Sequence, residues 1–405
     1  MDLVSLYGKG CDEVALKKRY ADLAALFEKR EGAPCERVYS SSGRAEILGN
    51  HTDHNHGKVM VAAISCDILA CVKMAKDKIT VVSEGFPPIE VNVCDTEPRE
   101  REKGTSAALV RGVVKALKDR GFEFGGFTAH MTSNIYRGAG VSSSAAFEVL
   151  IAEIINDLYL GGKLSPVEKA VVSQYAENVY FGKPCGLLDQ SGIAIGSLSA
   201  LDFFTPENPV IEKLPPIEGY SLVITNTGGD HASLTPHYAA IRAEMNEVAG
   251  YFGKSVLRDV DYAEFISALP SLKERFTGRA VMRALHFFKE NERVERAANA
   301  VKRGNTGDFL SCVNESGLSS LNLLQNCAVP GDEMQPVILG IELSRNFLKD
   351  GAVRVHGGGF AGSILAVVSD AETESYMEFM KKLFGKENVF RAAVRPLGAT
   401  VVETL

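Results

Sequence analysis

GRAEILGNHTDHNHG, residues 43–57, follows closely on a short strand-like run, residues 38–40. It gathers Arg44, Asn50, His51, Asp53 and Asn55 between bounding glycines. So many hydrogen-bonding side chains on a glycine-bounded turn suit a polyhydroxylated ligand. Each donor and acceptor of such a ligand must be matched or left unpaired. A turn tied to rigid elements is also where binding groups gather.

A second glycine segment, residues 137–146 (RGAGVSSSAA), leads into an apolar helical stretch, residues 143–158. Its glycines let the backbone approach a ligand closely. Its serines can cap the helix or offer hydroxyls, and the helix start supplies unpaired N–H groups and a positive dipole end. The segment suits the phosphates of a nucleotide, and equally a capped buried helix after a tight turn. A dinucleotide fingerprint would need glycine at Ser143. The only GKS, Gly253-Lys254-Ser255, has Val248 where a P-loop needs its first glycine.

A third segment, residues 355–363 (VHGGGFAGS), sets three glycines between two apolar strand-like runs. It reads as a hairpin connection or as a loop closing over a ligand from a second domain. Between these segments lies YAENVYFGKPCGLLDQ, carrying Glu177 on a predicted helix and Asp189 at a predicted helix start, where an N-cap is the simplest role. Phosphoryl transfer to a hydroxyl needs a carboxylate near the hydroxyl, oxygen ligands for Mg²⁺ and a cation near the moving phosphoryl group. Asp189, Glu177 with a loop serine, and Arg44 can fill these roles.

The chain has 405 residues, 45% hydrophobic and 23% charged, as in a globular protein of two domains. The net charge of −7 disfavours nonspecific nucleic-acid binding. The first residues lack a signal-peptide pattern, and no apolar run is long enough for a bilayer. The 8 cysteines are scattered, as in a reducing cytoplasm. Hydrophobic periodicity predicts helices over residues 12–30, 107–118, 143–158, 236–250, 333–348 and 373–384. It also predicts mostly helix over 261–324, and strands over 64–74, 79–82, 89–93, 127–132, 220–225, 352–356, 363–368 and 389–394. The mixed order implies α+β architecture. Prolines 206, 209, 215 and 216 place a domain boundary near 205, giving domains 1–205 and 206–405, with the C-terminal tail as a segment that can return to the first domain.

The three glycine segments, in this order, resemble the GHMP kinases, and residues 43–57 resemble the galactokinase signature GRVNLIGEHTDYNGG in particular. PCGLLDQ and HASLTPHYAAIR are similar to galactokinase segments too, so the resemblance runs from about residue 37 to the end. It implies a two-domain α+β fold with the active site in the cleft between domains. It also implies transfer of the γ-phosphoryl group of ATP to the anomeric hydroxyl of galactose, with Mg²⁺. By the same resemblance Asp189 faces that hydroxyl and Arg44 pairs with it. Ser144 and Glu177 hold Mg²⁺, with Ser143 an alternative to Ser144. Gly138, Gly140, Ser142, Ser143 and Ser144 cradle phosphates. Asn50, His51, Asp53 and Tyr238 contact the sugar, and Gly358 and Gly359 approach it from the second domain. The implied partners are a sugar and ATP, with no nucleic acid or membrane, and a monomer as the default.

Two departures bear on the substrate. Asn50 stands where galactokinases usually carry the Glu that contacts the hydroxymethyl end of the sugar, and His54 stands for Tyr. An amide and an added positive charge there would suit a C6 carboxylate. Asn50 can still hydrogen-bond a sugar hydroxyl, however, and galactose is the expectation, with galacturonate or another modified galactose, such as N-acetylgalactosamine, as the alternative. A sugar- and ATP-binding regulator without turnover is a further alternative. It is disfavoured by the intact serine loop, Glu177 and Asp189. His51, His54 and His56 lack the helical spacing of a zinc site.

Overall fold

The computed structural model describes residues 3–8, 11–135, 140–229 and 234–402. Its first sheet is built on two long strands, β1 (Arg37–Leu48) and β2 (Lys58–Ala75). β2 reads KVMVAAISCDILACVKMA and is buried over most of its length, as expected of a central strand covered on both faces. β3 (Lys78–Ser83), β4 (Ile89–Asn92) and β5 (Gly126–Ser133) extend the sheet in the order β1-β2-β5-β3-β4. Only the β3–β5 pair is parallel among the described pairs. β6 (Leu198–Asp202) pairs with the first half of β2, and β7 (Val210–Leu214) pairs with β6.

The second sheet contains β8 (Tyr220–Asn226), β9 (Gly351–His356), β10 (Ser363–Ser369) and β11 (Val389–Ala392). It is antiparallel in the order β11-β8-β10-β9. β12 (Thr400–Val402) lies antiparallel to β1, on the edge of the first sheet. Helices and mixed sheets make the fold α+β.

Parts of the fold differ from the sequence-based expectations. β1 does not stop at residue 40; its ladder with β2 runs on through Arg44 and Glu46 to Leu48. Arg44 therefore stands on a rigid strand rather than on the turn. The change of sheet follows Leu214, not residue 205. Pro206 and Pro209 lie in the β6–β7 connection, and Pro215 and Pro216 follow β7, so these prolines bound a hairpin rather than a linker. The two sheets also share one apolar cluster, which includes Val61 of β2, Ile151, Phe309 and Leu365 of β10.

Asp67 is the one charged residue in the buried middle of β2, and it ties distant segments together. It is fully buried, as is Arg395, whose Nη1 lies 3.5 Å from Asp67 Oδ2. Arg19, from the helix Glu13–Glu31, also pairs with its carboxylate. Tyr7 and Ser40 donate to it as well. Removing one member of such a cluster leaves a buried charge uncompensated. Asp67→Ala is expected to lower unfolding free energy by about 3–5 kcal/mol, measured by denaturant titration. A loss below about 1 kcal/mol would show that Asp67 does not hold these segments together.

Candidate active site

The helix Ser143–Leu160 is apolar on nearly every face and is buried in the first layer. Its N-cap residue, Ser142, has φ +61° and makes no capping bond with its side chain. The hydroxyl turns outward and donates to Asp189 Oδ2. The serine loop is thus not a simple capped helix start. The capping hydroxyl has been diverted, and Ser143 is exposed at the helix entrance. Gly138 lies outside the described residues.

Asp189 is not an N-cap either. The helix Leu188–Ile195 takes Leu187 at that position, and Asp189 sits in its first turn. Its Oδ1 accepts from Arg44 Nε at 2.8 Å. The Arg44 guanidinium also donates to the carbonyl of Gly140, and the Arg44 backbone N–H donates to the Val141 carbonyl at 3.2 Å. Partial burial pushes the Asp189 carboxyl up, but the Arg44 charge and the Ser142 and Arg44 hydrogen bonds outweigh it. The net effect holds the carboxyl below its ordinary pKa, and so ionised.

At the second residue of the helix that follows the loop, Ser144 Oγ donates to Glu177 Oε1 at 3.0 Å. Glu177 lies in a π-helical segment, Ala176–Phe181, a feature often found at functional sites. Gln190 Nε2 donates to Glu177 Oε2 at 2.8 Å and to Glu148 Oε2 at 3.3 Å. Lys183 Nζ lies 3.3 Å from Glu177 Oε1. Glu148 Oε1 is buried and has no partner among the described residues. Burial, and then the charge of Glu177, push the Glu148 carboxyl well above its ordinary value. Sequence reasoning missed Glu148, Lys183 and Gln190. Glu148 carries a readable signal, since it stands one helical turn after Ser144.

Asp53 reaches the same region from the turn after β1. Its Oδ2 accepts from the Leu188 backbone N–H at 3.1 Å, and its Oδ1 from the His54 N–H at 2.9 Å. Gly186 makes this approach possible, because a Cβ there would lie 1.8 Å from Asp53 Oδ2. Partial burial raises the Asp53 pKa, the Leu188 N–H lowers it, and the Asp189 charge raises it further. Asp53 and Asp189 are thus brought together at one helix start.

The triple glycine after β9 meets the same turn. Asn50 Nδ2 donates to the Gly357 carbonyl at 2.8 Å, and Tyr238 Oη to that of Gly359 at 3.0 Å. The Gly358 carbonyl lies 2.9 Å from His51 Nε2 and accepts from Asn326 Nδ2 at 3.0 Å. Glycine is required for these contacts. A Cβ on Gly358 would meet Tyr238 at 2.7 Å, and one on Gly359, at φ +81°, would meet the Asn326 carbonyl at 2.2 Å. Asn50 does not face the cleft. It is fully buried, and its amide is spent on protein. Nδ2 also donates to Glu46 Oε1 at 2.8 Å, and Oδ1 accepts from Ser320 and from Asn326.

The arrangement sets an ionised carboxylate, a guanidinium, an open helix start and an oxygen-rich pair around one cleft. Comparisons with known proteins agree in kind. Residues 25–74 match the galactokinase galactose-binding signature, and residues 108–197 match the GHMP kinases N terminal domain. The chain is 32% identical to a galactokinase of Streptomyces coelicolor over 366 residues, 88% of this chain and 91% of that one. It is 30% identical to a galactokinase of Clostridium tetani over 372 residues, 90% and 92% of the two chains. Its fold is similar to the crystal structure of Lactococcus lactis galactokinase complexed with galactose. The TM-score there is 0.82 at 24% identity, covering 95% of this chain and 100% of that one. Similarity of this extent, carried by the strand, loop and turn that meet at Asp189, makes the chain a member of the galactokinase family of GHMP kinases.

Proposed function

We propose that the protein is a galactokinase, transferring the γ-phosphoryl group of ATP to the anomeric hydroxyl of galactose. The observation that carries this reading is the Arg44–Asp189–Ser142 contact, which holds an ionised carboxylate beside an uncapped helix start. Such a helix start favours the anionic phosphates of ATP, with Gly140, Ser142, Ser143 and Ser144 around them. Asp189 is placed to take the proton from the anomeric oxygen as that oxygen bonds to phosphorus and the bond to the leaving ADP oxygen breaks. Arg44 keeps Asp189 charged and opposes negative charge at the moving group.

Ser144 and Glu177, beside the partnerless Oε1 of Glu148, form an oxygen-donor set suited to a hard cation such as Mg²⁺. Bound there, Mg²⁺ would neutralise phosphate charge. Lys183 adds a cation at the same edge.

Two observations favour galactose over galacturonate. Both donor contacts of the Asn50 amide go to Glu46 and Gly357. Burial pushes the His54 pKa well below its ordinary value, so the ring is neutral. Asn50 thus has no amide proton left for a C6 carboxylate, and the neutral His54 brings no positive charge to one. Asp53, half-buried at the mouth of the site, is left as a reader of sugar hydroxyls, and Gly358 and Gly359 shape the wall rather than bind.

ADP release should follow addition of galactose with Mg-ATP, and ³¹P NMR of the product should show phosphorus coupled to the anomeric proton. Faster turnover of galacturonate or N-acetylgalactosamine in the same assay would overturn the substrate assignment. Gly186→Ala would drive Asp53 off its seat and is expected to lower kcat/KM for galactose by about 10²-fold, with KM for ATP held. An unchanged kcat/KM for galactose would remove Asp53 from the sugar site.

A further inference from the structure

Glu46 is a buried carboxyl, two residues along β1 from Arg44, that the reaction scheme leaves without a role. Its register with β2 is unbroken from Gly43 to Glu46, so Glu46 projects from the same strand face as Arg44. Ala45, between them, points to the other face and packs in the core. Two residues along a strand span about 7 Å, comparable to the reach of a hexopyranose from its anomeric oxygen to its opposite edge. Arg44 marks the reacting end through Asp189; Glu46 stands one sugar length away.

The carboxyl is braced on one side only. Oε1 accepts from Asn50 Nδ2 at 2.8 Å and from Arg354 Nη2 at 2.9 Å. Arg354 is fully buried and also donates to the Ile47 carbonyl at 2.9 Å. The Glu46 backbone N–H donates to His356 Nε2 at 3.1 Å. Oε2 has no hydrogen-bond partner among the described residues, yet it is not sealed, and the side chain keeps 7% of its surface open. A polar atom held rigidly this way, in a residue 95% buried, is an acceptor waiting for a ligand donor.

Lined up with the signature GRVNLIGEHTDYNGG, position 46 carries Asn there and position 50 carries Glu. The amide–carboxyl pair is present in this chain with its ends exchanged, and the carboxyl has moved from the turn to the strand. We propose that Glu46 determines sugar specificity in this chain, its Oε2 accepting a hydrogen bond from the C4 or C6 hydroxyl, on the ring edge remote from the reacting oxygen. Asn50 and Arg354 are positioning residues for it. The inference rests on the galactose reading of the site and names the group that recognises the sugar.

The test pairs a variant with altered substrates. For the unaltered protein, 4-deoxygalactose or 6-deoxygalactose should lose about 10–100-fold in kcat/KM relative to galactose, because a buried acceptor is left unpaired. In Glu46→Gln the same deoxygenation should cost no more than about threefold, since the contact is already weakened. KM for ATP should be unchanged in both proteins. Equal deoxy-sugar penalties in the two proteins, at both positions, would make Glu46 a structural brace only and overturn the proposal. A crystal structure of the unaltered protein with galactose gives an answer that does not depend on the variant folding. Oε2 within hydrogen-bond distance of a sugar oxygen supports the inference; an intervening side chain defeats it. If galactose is not phosphorylated at all, the galactokinase reading fails, which is a separate outcome from unchanged penalties with normal turnover.

Discussion

The contact between the Arg44 guanidinium and the Asp189 carboxylate joins three parts of the chain at one point. Arg44 stands on β1, Asp189 in the first turn of the helix Leu188–Ile195, and the second guanidinium contact is the Gly140 carbonyl of the serine loop. A charged group at partial burial is tolerated only where it is paired. The pairing thus fixes the spacing between strand, helix and loop, and it leaves one carboxylate ionised at their junction. Ser142 takes the other oxygen of Asp189, and in doing so leaves its helix without a side-chain cap. Holding the Asp189 carboxylate and leaving the helix start without a side-chain cap are two consequences of one hydroxyl's orientation.

The second sheet reaches this junction through the backbone. The carbonyls of Gly357, Gly358 and Gly359 are met in turn by Asn50, by His51 and Asn326, and by Tyr238. Side chains at the close approaches would collide with Tyr238 and Asn326, so the glycines are a packing requirement of the inter-sheet seam. The shared apolar cluster beneath gives that seam a rigid floor. Asp67, in the middle of β2 opposite Ser42 of β1, performs a corresponding task by gathering Arg19 and Arg395.

Much of this was legible in the sequence, and the parts that were not have identifiable causes. Long periodic helices such as Glu13–Glu31 and Ser143–Leu160, and the strands of the second sheet, follow from residue patterning. The pattern shortens β1 because SSSGRAEIL alternates poorly: Ser40, Ser41 and Ser42 are buried polar residues that local pattern assigns to a loop. β7 was missed because four of its five residues are exposed, so it carries no apolar signal. Within the site, Arg44, Asp53, Asp189, Ser144 and Glu177 could be named from motif alone, but their partners could not. The pairing of Asp189 with Ser142 spans a left-handed Ser142 that no residue rule anticipates. Asn50 was expected at the sugar because sequence shows which residue changed and not where its amide points. Its partners Ser320 and Asn326 lie some 270 residues away in the chain.

The account stands on Asp189 acting on the sugar hydroxyl as an ionised carboxylate. The most direct measurement is single-turnover phosphorylation by Asp189→Asn, with galactose and ATP affinities measured separately by calorimetry. The account predicts affinities close to those of the unaltered protein and a rate of phosphoryl transfer lower by about 10²–10⁴-fold. Transfer at the unaltered rate by a variant that binds both substrates would contradict it.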